Sequence, residues 1–174
     1  MMKKIIKITT IYLCFALLFG CGYSFVPRGE NIDKRIQKVY VESFDNRTAQ
    51  AEIENYVRTA FINQFIQNSR LKIVGSAESA DAIVKGKILN LNTTPLSYRS
   101  NALVAEERAT IILELTFQEN ESGKMIWSSK NITGTVDYTL STDINSIPAI
   151  KKDAFIKLAN DTAEKAFNLM MSGF

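Results

Sequence analysis

The 174-residue chain contains no histidine. That absence removes the Ser-His-Asp and Cys-His arrangements of nucleophilic catalysis and every zinc site that uses an imidazole. Cysteine is nearly as scarce: Cys14 and Cys21 are the two thiols, and both fall within the first 21 residues. An apolar run long enough to span a bilayer is missing too. The longest candidate, residues 8–19, is interrupted by Thr9 and Thr10, and as a helix it covers about 18 Å of a hydrocarbon core of about 30 Å. Finally, the folded part lacks an excess of either charge. Of the 21 basic residues, Lys3, Lys4 and Lys7 precede residue 21, which leaves 18 against 18 acidic ones. Nucleic-acid binders that rely on a basic field are thereby disfavoured, although the whole-chain pI is about 8.8.

What is present at the start is a basic leader, a short apolar stretch and then Leu18-Phe19-Gly20-Cys21. The first two parts have the layout of a secretory signal. The last resembles the lipobox of bacterial lipoproteins, with an aliphatic residue three before a cysteine and a small residue directly before it. The expectation is cleavage after Gly20, a thioether-linked diacylglyceryl group on Cys21 and acylation of its freed amine. Each buried methylene contributes about 0.8 kcal/mol and stable anchoring takes more than one chain, so Cys21 alone can moor the protein. Gly22 follows, not the Asp that would resemble an inner-membrane retention signal, which favours the outer membrane. Residues 1–20 are therefore read as a signal peptide, 21–37 as a lipidated tether and 38–174 as one domain. Tyr23 and Phe25 suit either the membrane interface or the fold.

Lys38 to Phe44 alternates and is rich in β-formers, so it is read as a strand. The cluster at 45–48 is a turn, and Thr48 is expected to cap a helix from about Ala49 to Asn68. Its apolar stripe is Ile53, Val57, Ala60, Phe61 and Phe65. A short strand follows at 71–74. Residues 81–94 form a long strand in which the apolar phase changes at Ile88-Leu89, the signature of a bulge. Pro95 is expected to end it, with a loop over 95–106. Residues 107–118 alternate, with Ile111, Leu113, Leu115 and Phe117 on one face. A turn at 120–124, with Gly123 free to take positive φ, leads to a return strand at 125–136. After a polar loop at 137–147 and Pro148, the closing helix carries Phe155, Leu158, Ala159, Thr162, Ala163, Ala166, Phe167 and Met170 at three- and four-residue steps. The expected fold class is α+β: a single β-sheet of four or five strands with two helices packed on one face, a two-layer sandwich.

The start CGYSF, the block VYVESFDNRT…AFINQF followed by RLKIV, the run ADAIVKGKILNLNTTPLSY, the hairpin ESGKMIWS and the closing AEKAF together resemble the LptE family across nearly all of the mature chain. This resemblance implies an outer-membrane lipoprotein of lipopolysaccharide assembly, not an enzyme and without a cofactor or metal. It would sit inside the large β-barrel LptD, help it fold and bind lipopolysaccharide. Arg99 falls where the family carries a lipopolysaccharide-linked basic residue. Lys151 is the nearest match to a second such position, with Lys152 beside it, and Arg108 is expected to flank the same end. Arginine suits phosphate recognition, but each of these also fits an exposed surface cation. Lys85, Lys87 and Lys130 are read as ordinary open-face residues. Ala102, Leu103 and Val104 form either a contact tip or part of the core. Two other readings stay open: an envelope lipoprotein that recognises another periplasmic protein or peptidoglycan, and a hydrolase built on Glu106-Glu107. Strand neighbours point to opposite faces, which makes the second a poor acid/base pair.

Overall fold

A computed structural model describes residues 32–100 and 103–172. Cys21, Tyr23, Phe25, Ala102 and the signal segment lie outside them. The elements are β1 (Lys38–Val41), β2 (Asp45–Asn46), α1 (Ile53–Asn68), β3 (Lys72–Ile73), β4 (Ala82–Tyr98), β5 (Val104–Glu119), β6 (Met125–Thr139) and α2 (Ile147–Ser172). Short 3-10 turns at Ala77–Ser79 and Ile144–Ser146 join them. The sheet order is β3-β1-β4-β5-β6, with β2 also paired to β4. β1 runs parallel to β3 and β4, and β4-β5-β6 is an antiparallel meander. β1 and β2 act as one interrupted strand along β4: Val41 faces Val84 and Asn46 faces Ile88.

Both helices pack on one face, giving the expected two-layer α+β arrangement. The period of two in β5 places Ala109, Ile111, Leu113, Leu115 and Phe117 beneath the helices, all fully buried. The stripes of α1 and α2 meet them as read from the sequence, and every residue named on both stripes is buried. Phe65 joins the layers, with its ring 6.2 Å from Phe117 and 5.2 Å, edge-on, from Phe167. α2 approaches β6 closely because Gly134 has no side chain. A Cβ there would lie 1.8 Å from the Thr162 hydroxyl, which instead donates to the Leu158 carbonyl at 2.6 Å. The bulge is present, as a register shift between Ile88 and Asn90. Gly123 takes φ 67° in the β5–β6 turn.

Four boundaries differ from the sequence reading. Pro95 does not end β4, which continues to Tyr98, and β5 begins at Val104. The expected loop over 95–106 is mostly the end of a long hairpin. Beyond Asn46, β4 has a partner on one side only, so a residue without an N–H is tolerated there. β6 likewise runs on to Thr139, taking three residues from the expected polar loop. Thr48 does not cap α1. Its hydroxyl donates to the Asn46 side chain at 2.8 Å, and the helix starts at Ile53 behind Glu52, whose φ is 66°. Finally, Ile32 and Ile36 are buried in the core. The packed body therefore includes side chains before the boundary at 37, because two isoleucines four residues apart join the core cluster.

Candidate functional site

The three basic residues singled out above come to one end of the molecule, where the β4–β5 hairpin, the end of β6 and the start of α2 meet. Register explains this: Pro95 pairs with Glu107, and Glu107 with Tyr138. Each cation is already engaged. The Arg99 backbone N–H donates to the Leu103 carbonyl at 2.8 Å. Its guanidinium donates to the Val104 carbonyl at 3.0 Å and to the Leu140 carbonyl. Arg99 thus ties the hairpin end to the segment leaving β6.

Arg108 lies on the uncovered face and grips Asp137 of β6 through two bonds of 2.6 and 2.7 Å. Both side chains are about half exposed, so solvent and salt screen this bidentate pair and it adds little to stability. The Asp137 carboxyl is held below its ordinary range by the Arg108 hydrogen bonds.

Lys151, in the second turn of α2, reaches the opposite face of the sheet. Its ammonium lies 3.1 Å from the Glu107 carboxylate, whose side chain is 12% exposed. The Tyr138 hydroxyl donates to the same oxygen. Burial pushes the Glu107 carboxyl up, but the hydrogen bonds from Tyr138 and Lys151 and the charge of Lys151 outweigh it and hold the group low. Tyr138 shifts the other way, upward, through burial first and then the neighbouring carboxylate. Glu106 points away and accepts from Ser97 at 3.1 Å. The adjacent carboxylates are thus split across the sheet and cannot act on one substrate atom.

Among the described residues, Lys152 is exposed and forms no ion pair. With Lys151 it lines a cleft of about 420 Å3 between the starts of α1 and α2, together with Gln50, Glu52, Tyr56 and Phe155. Leu96, Tyr98, Leu103 and Ile144 are exposed at the same end, Ile144 to 78%. Leu103 is therefore part of a surface tip, whereas Val104 is half-buried. On the open face, Lys87 pairs with Glu114 at 3.0 Å and Lys85 lies 4.0 Å from Glu42. Lys130 is exposed. Among the described residues no group of three or more acidic, cysteine or histidine side chains is arranged for a metal ion, and no helix is long and apolar enough to cross a membrane.

The sequence reading found the cations but missed their carboxylate partners. Glu107 stands in phase with the core stripe 109, 111, 113, 115 and 117, and Tyr138 in phase with Ile132 and Val136. A carboxylate in an apolar phase signals a buried partner, and that signal was available.

Several solved structures share this fold. Lipoprotein B from Nitrosomonas europaea matches with a TM-score of 0.52 at 16% identity, covering 79% of this chain and 83% of that one. The PelC dodecamer subunit from Paraburkholderia phytofirmans gives 0.50 at 14%, covering 77% and 88%. A protein from Xanthomonas campestris gives 0.50 at 12%, covering 79% and 85%. No curated protein matches. The family model described as LptE, lipopolysaccharide-assembly, matches residues 36–171, from the buried Ile36 to the last turn of α2. With this match spanning well over half of its length, the chain belongs to the LptE family of lipopolysaccharide-assembly proteins.

Proposed function

We propose that this protein is a non-enzymatic, lipid-anchored component of the outer membrane that seats in an LptD-type β-barrel, helps that barrel assemble, and contacts lipopolysaccharide with its hairpin end. The observation that carries the reading is the family match over residues 36–171. The uncovered sheet face supports it. Thr110, Ile112, Glu114, Thr116, Arg108 and Asp137 make a mixed, largely polar surface suited to a barrel lumen rather than to lipid.

Within this reading the three cations have unequal roles. Arg108 and Lys151 are each neutralised by a carboxylate and serve the frame. Arg99 donates only to neutral carbonyls in the bonds described, so its charge is uncompensated by them and available to a phosphate. It is the favoured contact for lipid A phosphates, and Lys152 is the free cation nearest to it in role. Anchoring is assigned to Cys21. A tagged protein solubilised in detergent should bring down a large outer-membrane barrel; repeated purification without one removes the proposal.

A further inference from the structure

Residues 32–36 carry two isoleucines among charged neighbours and form no strand. Among the described residues, no backbone-to-backbone hydrogen bond joins them to the rest of the fold; the one such bond they make, Ile36 N–H to the Asp33 carbonyl at 3.0 Å, is internal. Among the described residues, the hydrogen bonds that reach them from outside come from one side chain. Arg70, between α1 and β3, donates to the carbonyls of Ile36 at 2.9 Å, Ile32 at 3.1 Å and Asp33 at 3.2 Å. The ladder begins only at Gln37, whose carbonyl accepts from Lys72 N–H at 2.8 Å. There the Asp81 carboxylate accepts the N–H groups of Gln37 and Lys38, both at 2.8 Å. Ile32 and Ile36 complete the attachment by inserting into the core.

We infer that residues 32–36 are a releasable clasp, fastened by Arg70 and stopped by Asp81, that sets how much chain separates the folded body from Cys21. Release costs the burial of Ile32 and Ile36 and the three Arg70 bonds but breaks no sheet ladder, so it lies below global unfolding. Here the sheet does not have to open with the clasp, because no ladder bond crosses from it. Fastened, eleven residue steps lie between Cys21 and Ile32; released, sixteen lie between Cys21 and Gln37. At no more than about 3.5 Å per residue, the longest possible reach rises from about 38 Å to about 56 Å. Arg70 and Asp81 are positioning residues for the N-terminal segment. The meaning of that reach rests on lipidation of Cys21; the clasp itself does not.

The test uses the mature lipidated protein in phosphatidylethanolamine–phosphatidylglycerol vesicles and endoproteinase Lys-C. Residues 22–33 contain no lysine, so Lys34, inside the clasp, is the first site after the leader. Arg70→Met is expected to accelerate cleavage after Lys34 at least tenfold, with the body leaving the vesicles. Hydrogen exchange over 32–38 should accelerate by a similar factor while exchange in β5 stays unchanged. Arg70→Lys, which keeps the charge but puts its donors on a single nitrogen, should fall between. Asp81→Asn serves if Arg70→Met does not fold, and should speed exchange at Gln37 and Lys38. Unchanged cleavage, or acceleration of the clasp only in step with β5, overturns the inference. Protein that never floats with vesicles before protease is added removes the anchor reading instead, and leaves the exchange result to decide the clasp.

Discussion

Lys151 of α2 and Glu107 of β5 meet at 3.1 Å beside the cleft at the start of α2, and Tyr138 of β6 closes on the same carboxylate oxygen. Three elements distant in sequence are fastened at one point. Glu107 is mostly buried while Lys151 is about a third exposed, so deleting the lysine leaves the carboxylate with Tyr138 as its remaining donor. Lys151→Met is therefore expected to lower stability by about 1 kcal/mol, a charged hydrogen bond discounted for the exposure of the lysine, and to do so with little effect on lipopolysaccharide binding. Urea denaturation and a binding titration on the same preparation check both halves. A variant of normal stability that no longer binds would return Lys151 to the ligand site.

Acid should weaken the fold through a defined set of carboxylates. Glu107, Asp81 and Asp137 are all held below their ordinary values of 4.5 and 3.8, and Asp33 falls to about 2 beside Arg35. A depressed group contributes stability that is complete above its unfolded value and disappears as pH falls through its folded value. Stability should hold level from neutrality to about pH 5 and decline between about pH 4.5 and 2. Tyr138 has the opposite sign: its raised value favours the fold below pH 10, with a loss as pH rises beyond that. Denaturation midpoints across this range test the prediction, and Glu107→Gln should flatten part of the acid limb.

Gly134 permits the contact between α2 and β6. Gly134→Ala places a methyl group 1.8 Å from the Thr162 hydroxyl and 2.9 Å from its Cβ, which forces the helix outward. Overpacking of this kind costs about 1–3 kcal/mol. Adding Thr162→Ala should recover part of the loss, and thermal unfolding of the two variants will show whether it does.

Arg99→Glu should weaken lipopolysaccharide binding about tenfold, the equivalent of one lost charge-assisted bond of about 1.4 kcal/mol. Association with the barrel should survive. Arg108→Gln, which removes a cation already paired with Asp137, should change the same titration by less than threefold. Equal effects from both substitutions would contradict the division of labour between them.

Cys21→Ser should yield a chain without acyl groups that no longer fractionates with membranes. Intact mass of the native mature N-terminus is the direct measurement; recovery of Met1 or of an unmodified thiol at Cys21 refutes the anchor.

Much of this arrangement was legible beforehand because its signals are local. The alternation of Ile111, Leu113, Leu115 and Phe117, the long stripe of α2, the phase slip at Ile88-Leu89 and the turn at Gly123 each depend on residues a few positions apart. The errors fell where a distant partner overrules a local preference. Pro95 normally breaks a strand, but pairing with β5 carries β4 past it. Thr48 is a good cap that Asn46 claims first. Ile32 and Ile36 sit in a polar stretch that reads as a tether, because the core that receives them is made by residues from 39 to 171.

The amino-acid sequence by itself determined the element order, the buried faces and the absence of imidazole chemistry, since periodicity and composition need no partner to be read. Only the tertiary structure decided that Arg108 and Lys151 are neutralised while Arg99 rests on carbonyls, and that Arg70 holds the incoming N-terminal segment. A cation's availability depends on which carboxylate the register brings beside it. That pairing spans 29 residues for Arg108 and 44 for Lys151, distances over which a linear pattern carries no information.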